Sequence, residues 1–425
     1  MSKSRQKVTQ TVTNAAITLI VLLLMSVTAV GAQQKYSYAT PAGGNTVQIL
    51  EALGELYSEE YDDAVWEFEA VGGGWDGLVE RLTVGAMGGV VPDVARIADI
   101  HRSAFVDSEL IMDLTSLMEN DPLDKSNYFP GVFDVWTVDG KLYGVPTGVL
   151  SFAMHINKDL FAERGLAIPS LDWETTWTMD EYREIARKLT YGPEDNPVYG
   201  AGSVWTINYL IQWVWSFGGD FVDESGTRCA LNSPEAIEAL EFVHDMTFVD
   251  GSFVPASVSA GRKFGNGELG TYMNGTWTTD SLIRTPPGFN WGVVPLPRGR
   301  QLSSGMYIDA WVIPAGASNP EESWKFLKFL AGERAENHLV DNNTYGMPFH
   351  VGVAMDRMED MFVSLAPEEK RVWFDAPNYA SYMRWPVQWD AVRAAMDPFW
   401  RSWTENQIST TEMANQVCSA INPLL

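Results

Sequence analysis

Residues 143–166 read YGVPTGVLSFAMHINKDLFAERGL: a turn, a mainly apolar run over 149–156, then a polar Asn-Lys-Asp start. The run predicts a strand buried on both faces, and the polar start predicts a helix opening at 157–161. Further strands are predicted over 35–40 or 46–48, and over 64–71, 93–97, 269–273, 291–295 and 310–314. Helices carry clearer signals. Thr178-Met-Asp-Glu181 is a capping box with Tyr182, Ile185, Ala186 and Leu189 on one face behind it. Asn232-Ser-Pro-Glu235 opens a second helix with Ile237, Leu240 and Val243 inward. Asn319-Pro-Glu-Glu322 opens a third that carries Trp324, Leu327, Leu330 and Ala331. Strands alternating with amphipathic helices predict an α/β protein. There is no low-complexity linker, so the strands themselves must join its lobes.

At 425 residues the chain is too long for one core, and two or more lobes are expected. The first 32 residues differ from the rest. Lys3, Arg5 and Lys7 precede an apolar stretch over 15–25, and small residues lead to Ala32. That pattern predicts a secretory signal peptide over 1–32, cleaved near Ala32; a permanent anchor is the alternative, but the stretch is short for a span. No cysteine stands at the junction to take a lipid, which points to the periplasm of a double-membraned bacterium. Removing the segment takes away three positive charges and moves the formal charge from −26 to −29. A field of that sign disfavours nucleic acid and anionic lipid as partners. Cys229 and Cys418 are the two cysteines; a disulfide and two lone thiols both fit. The five histidines are scattered, so neither a metal site nor a cofactor is expected.

Tyr143-Gly-Val-Pro146 followed by a strand and Asn157-Lys-Asp-Leu-Phe161 resembles the extracellular solute-binding proteins of ABC importers, in the large sugar-binding group that includes maltose-binding protein. Gly85-Ala-Met-Gly-Gly-Val-Val-Pro-Asp93, Trp177-Thr-Met-Asp-Glu-Tyr182, Leu231-Asn-Ser-Pro-Glu235, Gly270-Thr-Tyr-Met-Asn-Gly-Thr-Trp277, Trp291-Gly-Val-Val-Pro-Leu-Pro297 and Asn319-Pro-Glu-Glu322 continue the likeness in the same order. It covers nearly all of 36–420. The resemblance implies two α/β lobes around a ligand cleft, crossed three times by the chain: at 144–148, near 273–277 and around 345–348. The lobes expected from it are 33–146 plus 275–344, and 147–274 plus 345–425. Gly144, Pro146, Gly148 and Gly275 are the expected hinge residues, able to absorb small φ/ψ changes on closure.

Seventeen tryptophans invite a division between core and site. Trp66 and Trp324 fit cores. Trp75 after three glycines, Trp205 opening an apolar stretch, Trp277 ending Asn-Gly-Thr-Trp and Trp389 after Pro386 are candidates for stacking on sugar rings, with burial as the alternative for each. Trp277 and Trp389 fall where the resembled family places cleft aromatics. Polar candidates come from strand ends, where open α/β sheets bind ligands: Gly44 and Asn45, Asp99, Thr147 on the first crossing, Tyr307, and Asp309, which is equally a solvated turn residue.

Gly72-Gly-Gly-Trp-Asp-Gly77 matches GxGxxG between a strand and a helix over 78–84. It stands at the second strand rather than the first, and is read as a turn facing the cleft, not a dinucleotide site. Glu59-Glu60 and Asp62-Asp63 leave a secreted glycoside hydrolase as the alternative from another class, with a solvated acidic face as the plainer reading. A polyol or a cationic amine held by aromatic faces keeps the fold and changes the ligand. The expected protein is a monomer that captures a mono- or oligosaccharide and delivers it to membrane permease subunits without breaking a bond.

Overall fold

The computed structural model describes residues 33–425 apart from 45, 62, 63, 194 and 345. The expected signal peptide lies outside the described residues. In chain order the strands are β1 Gln34–Pro41, β2 Ala64–Val71, β3 Val94–Ile97, β4 Thr137–Val138, β5 Lys141–Leu142, β6 Val145–Pro146, β7 Leu150–Asn157, β8 Tyr199–Gly202, β9 Leu269–Gly275, β10 Trp291–Val294, β11 Ser304–Tyr307, β12 Ala310–Val312 and β13 Ala380–Ser381. The expected strands are present, but the alternative at 46–48 is not: those residues open the helix Thr46–Glu60.

Two sheets organise the molecule. The first has the order β2-β1-β3-β12-β6, parallel through β2, β1 and β3 and antiparallel at β12 and β6. The second has the order β13-β11-β7-β9-β8, with β10 also pairing β7. Every residue of β7 is buried, the polar Ser151, His155 and Asn157 included, which is why its sequence reads as a mainly apolar run instead of an alternation. Each sheet has its own apolar core. Tyr38, Leu50, Trp66, Val94, Trp311 and Phe326 belong to the first; Phe152, Tyr182, Trp213, Leu240 and Trp403 belong to the second.

Helix starts follow the sequence signals. Thr178 and Glu181 form the capping box, Ser233 caps Pro234–Phe248 and Asn319 caps Pro320–Leu330. On the second of these helices Leu240 and Val243 are buried while Ile237 is half-buried.

The strand pairing also locates the passages between sheets. The first runs from β6 to β7 through 147–149. Gly144 and Pro146 stand before it: Pro146 pairs with Ala310, and a Cβ on Gly144 would come within 2.8 Å of Ala310 and Trp136. Gly144 is thus needed for close packing inside the first sheet, while Gly148 lies on the passage. The second passage is not near 273–277. β10 pairs antiparallel with Met154–Asn157 and β11 with Leu150–Ser151, so both belong to the second sheet, and the chain returns to the first only through Ile308 and Asp309. Residues 275–307 therefore stand with the second lobe, and Gly275 closes strand β9 instead of acting at a crossing. A third link is marked by the bridge between Val149 and Met347, and Tyr345 beside it lies outside the described residues.

Cys229 and Cys418 are joined by a disulfide, with Cα atoms 5.1 Å apart. It ties the helix Thr410–Ile421 to the turn after Val222 within the second lobe.

Candidate functional site

A cleft of about 530 Å³ opens between the sheets, at the ends of β3, β9, β11 and β12. Helices begin there from both sides. Gly74–Gly88, Asp99–Asp107, Ile207–Ser216, Thr276–Arg284 and Trp389–Thr404 each place first-turn residues on its wall, and none has an N-cap side chain bonded to its first-turn amides, although the Asp99 N–H donates to Asp309 Oδ1 at 3.4 Å. Among helices that start elsewhere, Met179–Leu189, Pro234–Phe248, Pro320–Leu330 and Thr410–Ile421 are capped by Thr178, Ser233, Asn319 and Ser409, while Thr115–Asn120 and Glu333–Asp341 have no side-chain cap. A helix start leaves N–H donors that want acceptors, and at these cleft helices no N-cap side chain supplies one. The expected turn at 72–77 belongs here: Gly73 lines the cleft with φ of 80°, and a Cβ on Gly77 would overlap the Gly72 carbonyl.

Aromatic faces form one wall. Trp277 and Tyr307 lie nearly parallel, 10° apart with ring centres 6.3 Å apart. Phe152, buried on β7, stands at 87° to one and 89° to the other and fixes both. Tyr209 is perpendicular to Trp277, and its hydroxyl is pushed up to about 12 by burial. Gly275 has its physical reason here: a Cβ would stand 2.1 Å from the Trp277 ring, so only glycine lets the indole fold back against the strand end. Trp75 faces the cleft from the first lobe, with Trp385 and Trp389 at 4.9 Å on the opposite rim.

Buried acids supply the polar side. Asp309 accepts from Arg96 at 2.6 Å. Burial pushes its carboxyl up, against the pull of Arg96. Asp99 is pushed up to about 7 by burial first and by Asp309 second, with Arg102 opposing. Asp280 also rises to about 7 through burial, opposed by Arg284 and by the Gly346 N–H that it accepts at 3.1 Å. Tyr307 is raised further by burial and by Asp99, and its hydroxyl donates to the Asn208 carbonyl. His101 is pulled down by burial, against Asp390 and Asp76. Such carboxyls accept hydroxyl donors when ionised and donate one proton when neutral.

The lobes also touch at the cleft mouth. Ser103 Oγ donates to the Trp385 carbonyl at 3.2 Å, and Arg393 lies 3.7 Å from Asp76. Ile100 packs against the apolar core of the other lobe.

Of the residues expected from sequence, Trp75, Asp99, Trp277, Tyr307, Asp309 and Trp389 share the cleft wall. Thr147 stands just behind it, buried, bonded to Arg96 and to the Asp309 carbonyl. Gly44 is exposed in a turn two residues before Thr46, which does line the cleft. Asn45 lies outside the described residues. Trp205 does not reach the site: its Nε1 donates to the Val254 carbonyl at 2.7 Å, and its ring packs edge-on against Phe253 and Trp403 in the second core. The acidic pairs also stand elsewhere. Glu59 and Glu60 pair with Arg334, and Asp62 and Asp63 lie outside the described residues. Sequence reasoning missed Arg96, Tyr209, Asp280 and Trp385. A lone arginine inside an otherwise apolar strand was the available signal for Arg96; Asp280 and Arg284, spaced i,i+4 behind Trp277, were another. Among the described residues no cluster of His, Cys, Asp or Glu is arranged to hold a metal ion.

Residues 43–337 match the family model described as bacterial extracellular solute-binding protein. The chain belongs to that family. A Brucella abortus chain named only as a binding protein is 28% identical over 296 residues, covering 67% of this chain and 69% of its own length. The arabinooligosaccharide-binding protein of Halalkalibacterium halodurans is 29% identical over 216 residues, which are 48% of this chain and 44% of that one. In fold the chain is similar to an ABC substrate-binding protein of Listeria monocytogenes solved in complex with cycloalternan: TM-score 0.83, 19% identity, 92% of this chain and 98% of that one. Membership makes this an exported binding protein of the ABC-importer class, with permease subunits as partners, and the two-lobed expectation drawn from its motifs holds. No described helix is long and apolar enough to cross a membrane.

Proposed function

We propose that this solute-binding protein captures an oligosaccharide in the interlobe cleft and presents the closed form to its permease, without making or breaking a covalent bond. The observation that carries the reading is the presence in one cleft of parallel Trp277 and Tyr307 faces and the buried acids Asp99 and Asp280. Sugar rings need both: C–H faces that stack on aromatics, and rim hydroxyls that need directed partners. Uncapped helix amides add donors for ring and hydroxyl oxygens. The sugar-binding names of relatives support the same class of ligand. Asp309 is already held by Arg96, which argues against its use as a free acid or base in hydrolysis. The mature chain is read as a periplasmic monomer that begins after Ala32.

Thermal shift against arabino-, galacto-, malto- and chito-oligosaccharides, sugar alcohols and amines tests the proposal. A saccharide present at a hundredfold over its Kd adds about 2.7 kcal/mol of stability. Stabilisation by amines alone, or release of reducing sugar during the assay, overturns it.

A further inference from the structure

Arg96 is a charged residue in a strand whose four positions are all buried. Its guanidinium reaches three separate parts of the molecule. Nη2 donates to Asp309 Oδ2 at 2.6 Å, on the second passage between lobes. Nε donates to Thr147 Oγ1 at 3.3 Å, on the first. Its Cζ lies 5.2 Å from the centre of the Trp75 ring, on the cleft wall. The two passages are also stitched to each other, since Thr147 N and Oγ1 donate to the Asp309 carbonyl at 2.9 and 3.2 Å. Strand order explains the reach. β12 runs between β3 and β6, with Trp311 opposite Arg96 and Ala310 opposite both Ile97 and Pro146, so residues flanking β12 on either side converge on one guanidinium.

A buried ion pair is a weak source of stability, because desolvation cancels most of the attraction. A rigid planar fork does supply geometry: it fixes several partners relative to one plane, which a lysine ammonium cannot do. We propose that Arg96 is a positioning residue that ties the Trp75 stacking face to two of the interlobe passages, so that a ring stacked on Trp75 and the spacing of the lobes answer to the same side chain. Its ligand arm rests on the saccharide reading above; its structural arms do not.

The test uses the full mature chain and Arg96→Lys, which keeps a charge beside Asp309 but loses the fork. With 5-fluorotryptophan incorporated, the Trp75 resonance is identified by its absence in Trp75→Phe. In Arg96→Lys that resonance shifts and broadens, and small-angle scattering of the unliganded protein shows a wider spread of lobe separations. Affinity for whichever oligosaccharide of the panel binds wild type falls at least tenfold. In a Trp75→Ala background the same Arg96→Lys change costs less than twofold more, because the two act through one contact. If Arg96→Lys does not fold, Arg96→Gln/Asp309→Asn removes both charges together and is read in the same way. A wild-type Trp75 signal together with wild-type scattering reduces Arg96 to a counter-ion for Asp309 and overturns the proposal. So do affinity losses that multiply in the double variant. The fluorine and scattering arms need no sugar, so a panel in which nothing binds defeats the proposed function and leaves this inference to be judged on its own.

Discussion

Gly275 and Trp277 behave as a unit, since the glycine leaves the space into which the indole folds. Trp277→Ala removes a stacking face and is expected to weaken saccharide binding by about 1–3 kcal/mol, read by calorimetric titration. Gly275→Ala keeps the indole but displaces it; its backbone φ of −88° suits alanine, so a comparable loss of affinity in a folded protein is expected. Trp389 differs. It is 3% exposed and packs on Phe221 and Trp385, so Trp389→Ala is expected to cost about 3–5 kcal/mol of stability in chemical denaturation, with binding lost as a consequence. The acids give a pH signature. Asp99 and Asp280 have native values near 7 against an ordinary 3.8, so between these limits the native state holds more protons than the unfolded one. Stability contributed by their neutral forms is complete below about pH 4 and is lost as pH rises through 7. The denaturation midpoint should fall over that window, and Asp99→Asn should flatten the fall.

Among elements, the helices and central strands were legible in the sequence because their signals are local. A cap and its partner lie three residues apart, and the buried run of β7 declares itself without reference to any neighbour. The second passage was not legible. Whether 291–294 and 304–307 join one sheet or the other is decided by pairing with β7, more than a hundred residues earlier, and no local pattern records that choice. The site divides in the same way. Trp75, Trp277 and Trp389, set apart in the sequence by glycine or proline turns, do line the cleft. Trp205 was misread because a tryptophan that opens an apolar helix looks alike whether it faces a cleft or a core. Arg96 and Asp309 meet only in three dimensions, at a separation of 213 residues. The disulfide likewise closes a separation of 189 residues, away from the cleft wall. Cys229→Ser/Cys418→Ser is expected to lower stability by about 2–5 kcal/mol in denaturant titration while leaving saccharide affinity within twofold.

For the whole molecule, two cores joined by narrow passages make relative motion of the lobes the natural response to ligand, since only a closed cleft lets both walls touch it. Scattering with a bound oligosaccharide should show a narrower distribution of lobe separations than without it; unchanged profiles would mean that capture does not depend on closure. The contacts at the mouth between Ser103 and Trp385, and between Arg393 and Asp76, are few and partly exposed, so they should bias the lobes only weakly. The position of β12 has a consequence for biogenesis. It sits in the interior of the first sheet, flanked by β3 and β6, yet is synthesised some 160 residues after the second of these. A nascent polypeptide that stops short of residue 310 offers both neighbours and lacks the strand that joins them. Such a polypeptide is expected to stay loose, and limited proteolysis of a fragment that ends before residue 310 should find its early segments as open to cleavage as a denatured chain.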